Sequence, residues 1–226
     1  PSPVEEYCKK NKLSFRNPIN LDSEEEFRSF KELSANLIIV VAYGQIIPKS
    51  FLKKSKFGFI NIHASLLPKW RGAAPIQRAI MNGDKKIGVS IMKIEEQLDS
   101  GPVLTSNELE LDQNATHGEI EKKLSIMGAK LLIKSLKTIE AGNPKFIDQD
   151  HSQATYAKKI DKSETRINWS LDASRVIAHI HGLSPNPGAW FEYEDERFKV
   201  LRASKSSTSG NPGVLLDENL TVACKS

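Results

Sequence analysis

A chain of 226 residues, 39% hydrophobic and 27% charged, has the composition of an ordinary globular protein and can bury a core without staples. Its two cysteines, Cys8 and Cys224, lie far apart and make neither a metal pair nor a disulfide framework, which points to a reducing compartment, and no apolar run reaches membrane-spanning length. The net charge of +4, diluted by 28 acidic residues, permits a polyanionic partner without demanding one; a lysine-rich solvated surface is the simpler account.

The first clear element follows Ser23 and Glu26, spaced as a capping box, with Phe27, Phe30 and Leu33 at helical intervals behind them. Residues 37–42 form a wholly apolar, β-branched run closed by Tyr43-Gly44. Such a run reads as a strand buried on both faces, the pattern of a parallel sheet covered by helices. A second strand is expected over residues 57–62. Pro75 suits the first turn of a helix running to about Met81 and ended by Gly83. Residues 87–94 alternate enough to be a strand nearer an edge, and residues 103–111 make a weaker fourth. The strongest helix runs from Thr116 to about Ala141: Thr116 and Glu119 form another capping box, Ile120, Leu124, Met127, Leu131 and Ile139 give the apolar stripe, and Gly142 in the Gly-Asn-Pro break is the stop. Strand and helix alternate, so the fold class is α/β with a Rossmann-like, mostly parallel sheet.

After Gly142-Asn143-Pro144 the character changes. Residues 148–157 are polar and read as a linker. A short helix follows over about 171–181, and Pro185-Asn186-Pro187-Gly188 interrupts the chain. Residues 190–193 and 198–201 flank an acidic turn at 194–196 as a hairpin would, and residues 214–216 and 220–223 continue the β pattern. The serine-rich stretch 204–210 is expected to be a flexible loop. Trp169, Trp190 and Phe191 offer stacking surfaces for bases, although their apolar surroundings favour core packing.

Asn61 and His63 stand at the carboxyl end of the second strand, where open α/β sheets bind their ligands. If extended geometry persists through His63, the period of two puts both on one face, and an amide beside an imidazole can donate two hydrogen bonds to one developing oxyanion. By itself an Asn-x-His pair is more often a turn with a satisfied histidine. Asp99 follows the third strand in Gln97-Leu98-Asp99-Ser100-Gly101-Pro102; it could orient or charge His63, and equally belongs to ordinary turn chemistry.

The stretch NIHASLLPKWRGAAPIQ from Asn61 to Gln77, together with Gln97 to Gly101, resembles the family of formyltransferases that use 10-formyltetrahydrofolate. The Trp70 to Gln77 continuation, the loop from Val41 to Pro48, and Thr155 to Ile160 with Arg166 to Trp169 are similar to the branch that formylates methionyl-tRNA. The resemblance implies a catalytic domain over residues 1–147, the linker at 148–157, and a small OB-like β-barrel over 158–226 that helps hold tRNA. It implies that Asn61, His63 and Asp99 are catalytic, that Ser65, Leu66, Leu67 and Pro68 line the folate site, and that the co-substrate is 10-formyltetrahydrofolate. The acceptor it implies is aminoacylated initiator tRNA. Lys69 and Arg71, expected to project from the same loop, would meet phosphates of the tRNA or the folate tail; a solvated basic loop carries comparable weight. No metal is required and no metal-ligand spacing is present. A cytoplasmic monomer is expected, with an organelle matrix as the other setting.

The family's opening strand and Gly-Thr-Pro turn are not among these residues, and the chain begins Pro1-Ser2-Pro3, so both domains are expected to be incomplete. Other readings stay open: a hydrolase of 10-formyltetrahydrofolate with water as acceptor, a sugar-amine or purine-precursor formyltransferase, and a non-catalytic tRNA-binding remnant. A generic nucleotide-binding domain lacks support, because no Gly-rich phosphate loop follows any strand.

Overall fold

Each helix begins and ends where the sequence supplies a donor or acceptor for the backbone groups left unpaired there. The computed structural model describes residues 2–142 and 144–225; Asn143, in the break expected to stop the long helix, lies outside the described residues, as do Pro1 and Ser226. The chain divides into two compact units, one of Pro1–Ile38 and Tyr43–Gly58, the other of Ile39–Ala42 and Phe59–Ser226.

The first unit holds three helices, α1 (Pro3–Lys10), α2 (Glu24–Glu32) and α3 (Lys49–Leu52). The sequence reading did not foresee α1. Its signals are nevertheless local: the Ser2 hydroxyl accepts from Glu5 N at 3.2 Å, Pro3 opens the first turn, and Glu5, Glu6, Lys9 and Lys10 complement the helix dipole. Ser23 caps α2 through Glu26 N at 3.2 Å. Glu26 does not reach back as a capping box requires. Its carboxylate accepts from Arg16 instead, at 3.0 Å from Nε and 2.6 Å from Nη2, because a two-pronged charge-assisted bond outcompetes one neutral N–H. The buried ring of Phe51 on α3 takes Phe27 and Phe30 of α2 at centroid distances of 5.2 and 4.8 Å.

The strands β1 (Ile38–Val40), β2 (Phe59–His63), β4 (Lys86–Lys93) and β5 (Val103–Glu110) form a four-stranded sheet in the order β1-β2-β4-β5, and β3 (Arg71–Gly72) stands outside it. The α/β class stands, and three details differ from expectation. The apolar run at 37–42 yields a short strand at one end of the sheet, with Ile39 42% and Val41 57% exposed rather than buried on both faces. Conversely β4 is a central strand, buried from Ile87 to Met92. Its small residues imitate an edge pattern but have tertiary causes: a Cβ at Gly88 would strike the Asn107 carbonyl and Leu66, and Ser90 donates to Ser65 O at 2.8 Å. Thirdly, β2–β4 and β4–β5 pair antiparallel, with Asn61 opposite Met92 and His63 opposite Ser90. Burial on both faces reports that both faces are covered; it does not fix the direction of the neighbouring strand.

Two helices cover one side of this sheet. Pro75 opens α4 (Pro75–Asn82), and Gly83 closes it at φ 74, the left-handed cap that a side chain resists. In α5 (His117–Glu140) Thr116 N donates to the Glu119 carboxylate at 2.8 Å. Ile120 and Leu124 of α5, Ile76, Ala79 and Ile80 of α4, and Ile87 and Val89 of β4 make one continuous core.

Downstream lie β6 (Tyr156–Ala157), α6 (Ala173–Leu183), β7 (Ala189–Tyr193) and β8 (Glu196–Val200). Ile167, Val176, Ile180, Leu183 and Ala189 form a second core, against which the partly buried Trp169 and Phe191 pack, as their apolar surroundings suggested. The hairpin turn is tighter than expected: Glu196 already belongs to β8, paired with Tyr193, and only Glu194 and Asp195 remain, at φ 48 and 62. Two consecutive positive φ values match the strand twist but are disfavoured for acidic side chains. Replacing Glu194→Asn together with Asp195→Gly is expected to raise stability by about 1 kcal/mol, seen as a thermal midpoint roughly 2–4 °C higher.

Candidate active site

Because β2 pairs with β4 through alternating residues, Ile62 turns toward α5, where the missing side chain of Gly128 makes room for it. Asn61 and His63 therefore face the other way, beside Met92 and Ser90. The sequence expectation that these two share a face is met.

His63 is buried, 5% exposed, and its Nε2 lies 2.9 Å from the carbonyl oxygen of Trp70. A carbonyl only accepts, so Nε2 carries the hydrogen and Nδ1 is the nitrogen turned to Asp99, 3.6 Å from Oδ2. That separation is too long for a hydrogen bond and short enough for attraction once the ring is protonated. The same Oδ2 accepts from Gly72 N at 2.8 Å. Asp99 itself sits at φ 47, a left-handed conformation uncommon outside glycine.

Three segments hold this pair. The loop after β2 is pinned by Ser90, whose hydroxyl donates to Ser65 O and accepts from Leu67 N at 3.2 Å, while the buried Ser65 hydroxyl donates to Lys69 O at 2.6 Å. Trp70, at φ 59, is fixed by its indole N–H on Asp84 at 2.7 Å and by its backbone N–H on Thr155 Oγ1 at 2.9 Å. Arg71 and Gly72 then pair in parallel with Tyr156 and Ala157. Within residues 148–157, expected to be a polar linker, Thr155, Tyr156 and Ala157 thus line up along the loop that carries the Trp70 carbonyl.

Lys69 is exposed, as expected, but Arg71 does not project into solvent. It is 3% exposed, and its guanidinium donates to Gln149 Oε1 from Nε at 3.1 Å and from Nη2 at 2.7 Å. The pleat of β3 sends the side chain inward, which neighbouring Lys69 gave no reason to suspect. Sequence reasoning also missed Gln149, Thr155 and Ser90. Only Ser90, a hydroxyl inside an apolar strand, carried a usable signal.

Next to β6 lies an open cleft of about 500 Å³ lined by Arg78, Tyr156, Lys158, Lys159, Asp161 and Glu164. Arg78 of α4 grips Glu164 through two bonds of 2.6 and 2.8 Å and donates to the Lys158 carbonyl at 3.1 Å. That two-pronged bond, followed by the N–H of Asp161, holds the Glu164 carboxyl at about 2. A carboxyl lowered on folding adds stability that is complete above its unfolded value, near 4.5, and is lost as pH falls toward about 2. Solvent screening keeps the contribution near about 1 kcal/mol. Thermal melts between pH 6 and pH 2, run on the natural protein and Glu164→Gln, are expected to differ at neutral pH and converge in acid.

Residues 1–136 match the family model described as formyl transferase, and residues 159–226 match the formyl transferase C-terminal domain. The chain is 46% identical over 224 residues to the methionyl-tRNA formyltransferase of Pelagibacter ubique, an alignment covering 99% of this chain and 72% of that protein. Among solved structures, the methionyl-tRNA formyltransferase of Clostridium thermocellum superimposes with a TM-score of 0.69 at 20% identity, covering 90% of this chain and 87% of that one. HypX from Aquifex aeolicus, solved in complex with tetrahydrofolic acid, gives 0.70 at 20% identity over 87% of this chain and 35% of its own. The two solved structures share the fold; the family models and the sequence identity carry kinship, and by them the chain belongs to the formyl transferase family.

Proposed function

We propose that the chain transfers the formyl group of 10-formyltetrahydrofolate to the α-amino group of methionyl-tRNA. The observation that supports the reading is His63 Nδ1 standing 3.6 Å from the Asp99 carboxylate, with Asn61 on the same face of β2 two residues earlier.

The chemistry follows from the acceptors already in use. Nε2 of His63 is committed to Trp70 O, so Nδ1 is the nitrogen left to serve the reacting centre. The methionyl amine attacks the formyl carbon and negative charge grows on the formyl oxygen. Asn61 and a protonated Nδ1 donate to that oxygen, while Asp99 favours the imidazolium and receives the proton released by the amine. As the bond from carbon to N10 of the folate breaks, that proton passes to N10 and the new amide remains on methionine.

In this reading Ser65, Leu66, Leu67 and Pro68 shape the folate side of the site, and their backbone is held by Ser90 and Thr155. Lys69, with Lys158 and Lys159 at the cleft, meets phosphates of the acceptor end. Arg71 serves the site from within, through Gln149. Residues 1–147 act as the catalytic part and 158–226 as the part that holds the initiator tRNA, in a monomer working in a reducing cytoplasm; the two cysteines are free thiols.

The test is incubation of the protein with labelled 10-formyltetrahydrofolate, with and without methionyl-tRNA. Label in an acid-precipitable formylmethionyl-tRNA only when both substrates are present is the expected result. Formate released at the same rate without tRNA would replace the transferase by a hydrolase.

A further inference from the structure

We infer that Gln149 is a positioning residue for Asp99: its carboxamide clamps the turn at residues 99–101 so that the Asp99 carboxylate meets Gly72 and faces His63. The catalytic consequence rests on the formyl-transfer reading; the geometry does not.

Gln149 is 7% exposed, and its place is set by the bridge between Val103 and Ile147, which exchange backbone bonds of 2.8 and 2.9 Å. Two residues beyond that bridge, its side chain lies across the turn. The guanidinium of Arg71 has donors only, so the amide oxygen must face it. The amide nitrogen is thereby sent the other way, to Asp99 O at 2.9 Å and Gly101 O at 2.7 Å. Oε1 and both donors of the carboxamide are therefore engaged. Arg71 is itself oriented by a third bond, from Nη2 to Nδ1 of His151 at 3.0 Å.

The turn needs such a clamp. Asp99 occupies a left-handed conformation, and a Cβ at Gly101 would collide with the Lys93 carbonyl, so the backbone is pressed against the end of β4. Without the Gln149 donors, one buried and one partly buried carbonyl lose their partners. The left-handed residue is then free to relax, and its carboxylate swings off Gly72 N and away from Nδ1. A misplacement of about 1 Å is enough to cost on the order of a hundredfold in rate.

Two variants test this in the full-length protein. Gln149→Leu removes the donors. Gln149→Glu keeps the shape and the bond from Arg71 while turning an oxygen toward both carbonyls. Each is expected to lower kcat for formyl transfer by roughly tenfold to a hundredfold with KM for both substrates within about twofold of the natural value. In an Asp99→Asn background, neither is expected to lower kcat further, since the group they position is already gone. The second readout does not depend on turnover. Hydrogen exchange at the Gly72 amide, which donates to Asp99, is expected to quicken about tenfold, while amides of Val89 and Ile91 in β4 keep their protection.

Unchanged kcat and unchanged Gly72 exchange in either folded variant would overturn the positioning role, as would loss of protection spread evenly through β4, which marks a structural role. Should Gln149→Leu not fold, Gln149→Glu reads the same quantities. His63→Ala, run alongside, separates the two ideas. If it keeps full activity the catalytic reading fails, and Gly72 exchange still decides whether Gln149 holds Asp99.

Discussion

Replacing His63 with alanine is expected to lower kcat for formyl transfer on the order of a hundred- to a thousandfold, the usual cost of deleting one donor to a developing oxyanion. The ring is buried and its Nε2 already serves Trp70 O, which leaves Nδ1 for the reaction. Asn61→Ala removes the other donor on the same face and is expected to cost a similar factor. The double variant should fall short of the product of the two losses, because both groups stabilise one oxygen. Single-turnover rates with saturating methionyl-tRNA and formyl-folate are the measurement. Full activity of either single variant would remove that residue from the chemistry, and tRNA binding retained alongside lost transfer would locate the defect in the reaction step.

Gly72→Ala is expected to damage stability and activity together. Gly72 sits at φ 118, which side-chain-bearing residues rarely adopt, and an added Cβ would stand 2.8 Å from the Ala157 carbonyl in the neighbouring strand β6. Strained backbone and a forced shift each cost about 1–3 kcal/mol. A total near 3 kcal/mol corresponds to a thermal midpoint roughly 6–12 °C lower in a chain of this size. The relaxed backbone would also carry Gly72 N away from Asp99 Oδ2, so kcat is expected to fall even at a temperature where the variant is fully folded. Melting curves and kinetics on the same preparation check both halves.

The helices were the most legible part of the chain. Ser23, Pro75, Gly83 and Thr116 mark ends that the structure keeps within a residue or two, since a cap or a left-handed stop is demanded by the backbone at that spot. Helix α1 carries the same kind of signal in Ser2, Pro3 and its paired charges, but it is only eight residues long and none of them is buried. Strand β4 misled for the opposite reason. Gly88 and Ser90 looked like concessions to solvent, but they are small or polar because Leu66, Asn107 and Ser65 press against them from distant parts of the chain. At the site, the Asn-x-His pair at a strand end and the Asp99 turn were readable as chemistry once the longer stretch around them was taken together. Which His63 nitrogen points at Asp99 was not, because Trp70 O decides it.

The sequence alone determined where the helices cap, that strands and helices alternate, that Asn61 and His63 share a face, and which family the chain resembles. These follow from periodicities of 2 and 3.6 and from conformations that individual residues demand, all within a few neighbours along the chain. The tertiary structure decided the rest: β4 at the centre and antiparallel to both neighbours, Arg71 turned inward, and Gln149 holding the Asp99 turn. Those outcomes depend on pairings between distant residues, 50 and 78 positions apart for the bonds that hold Asp99 and Arg71, whose energies appear only once the chain has folded, so no local pattern records them.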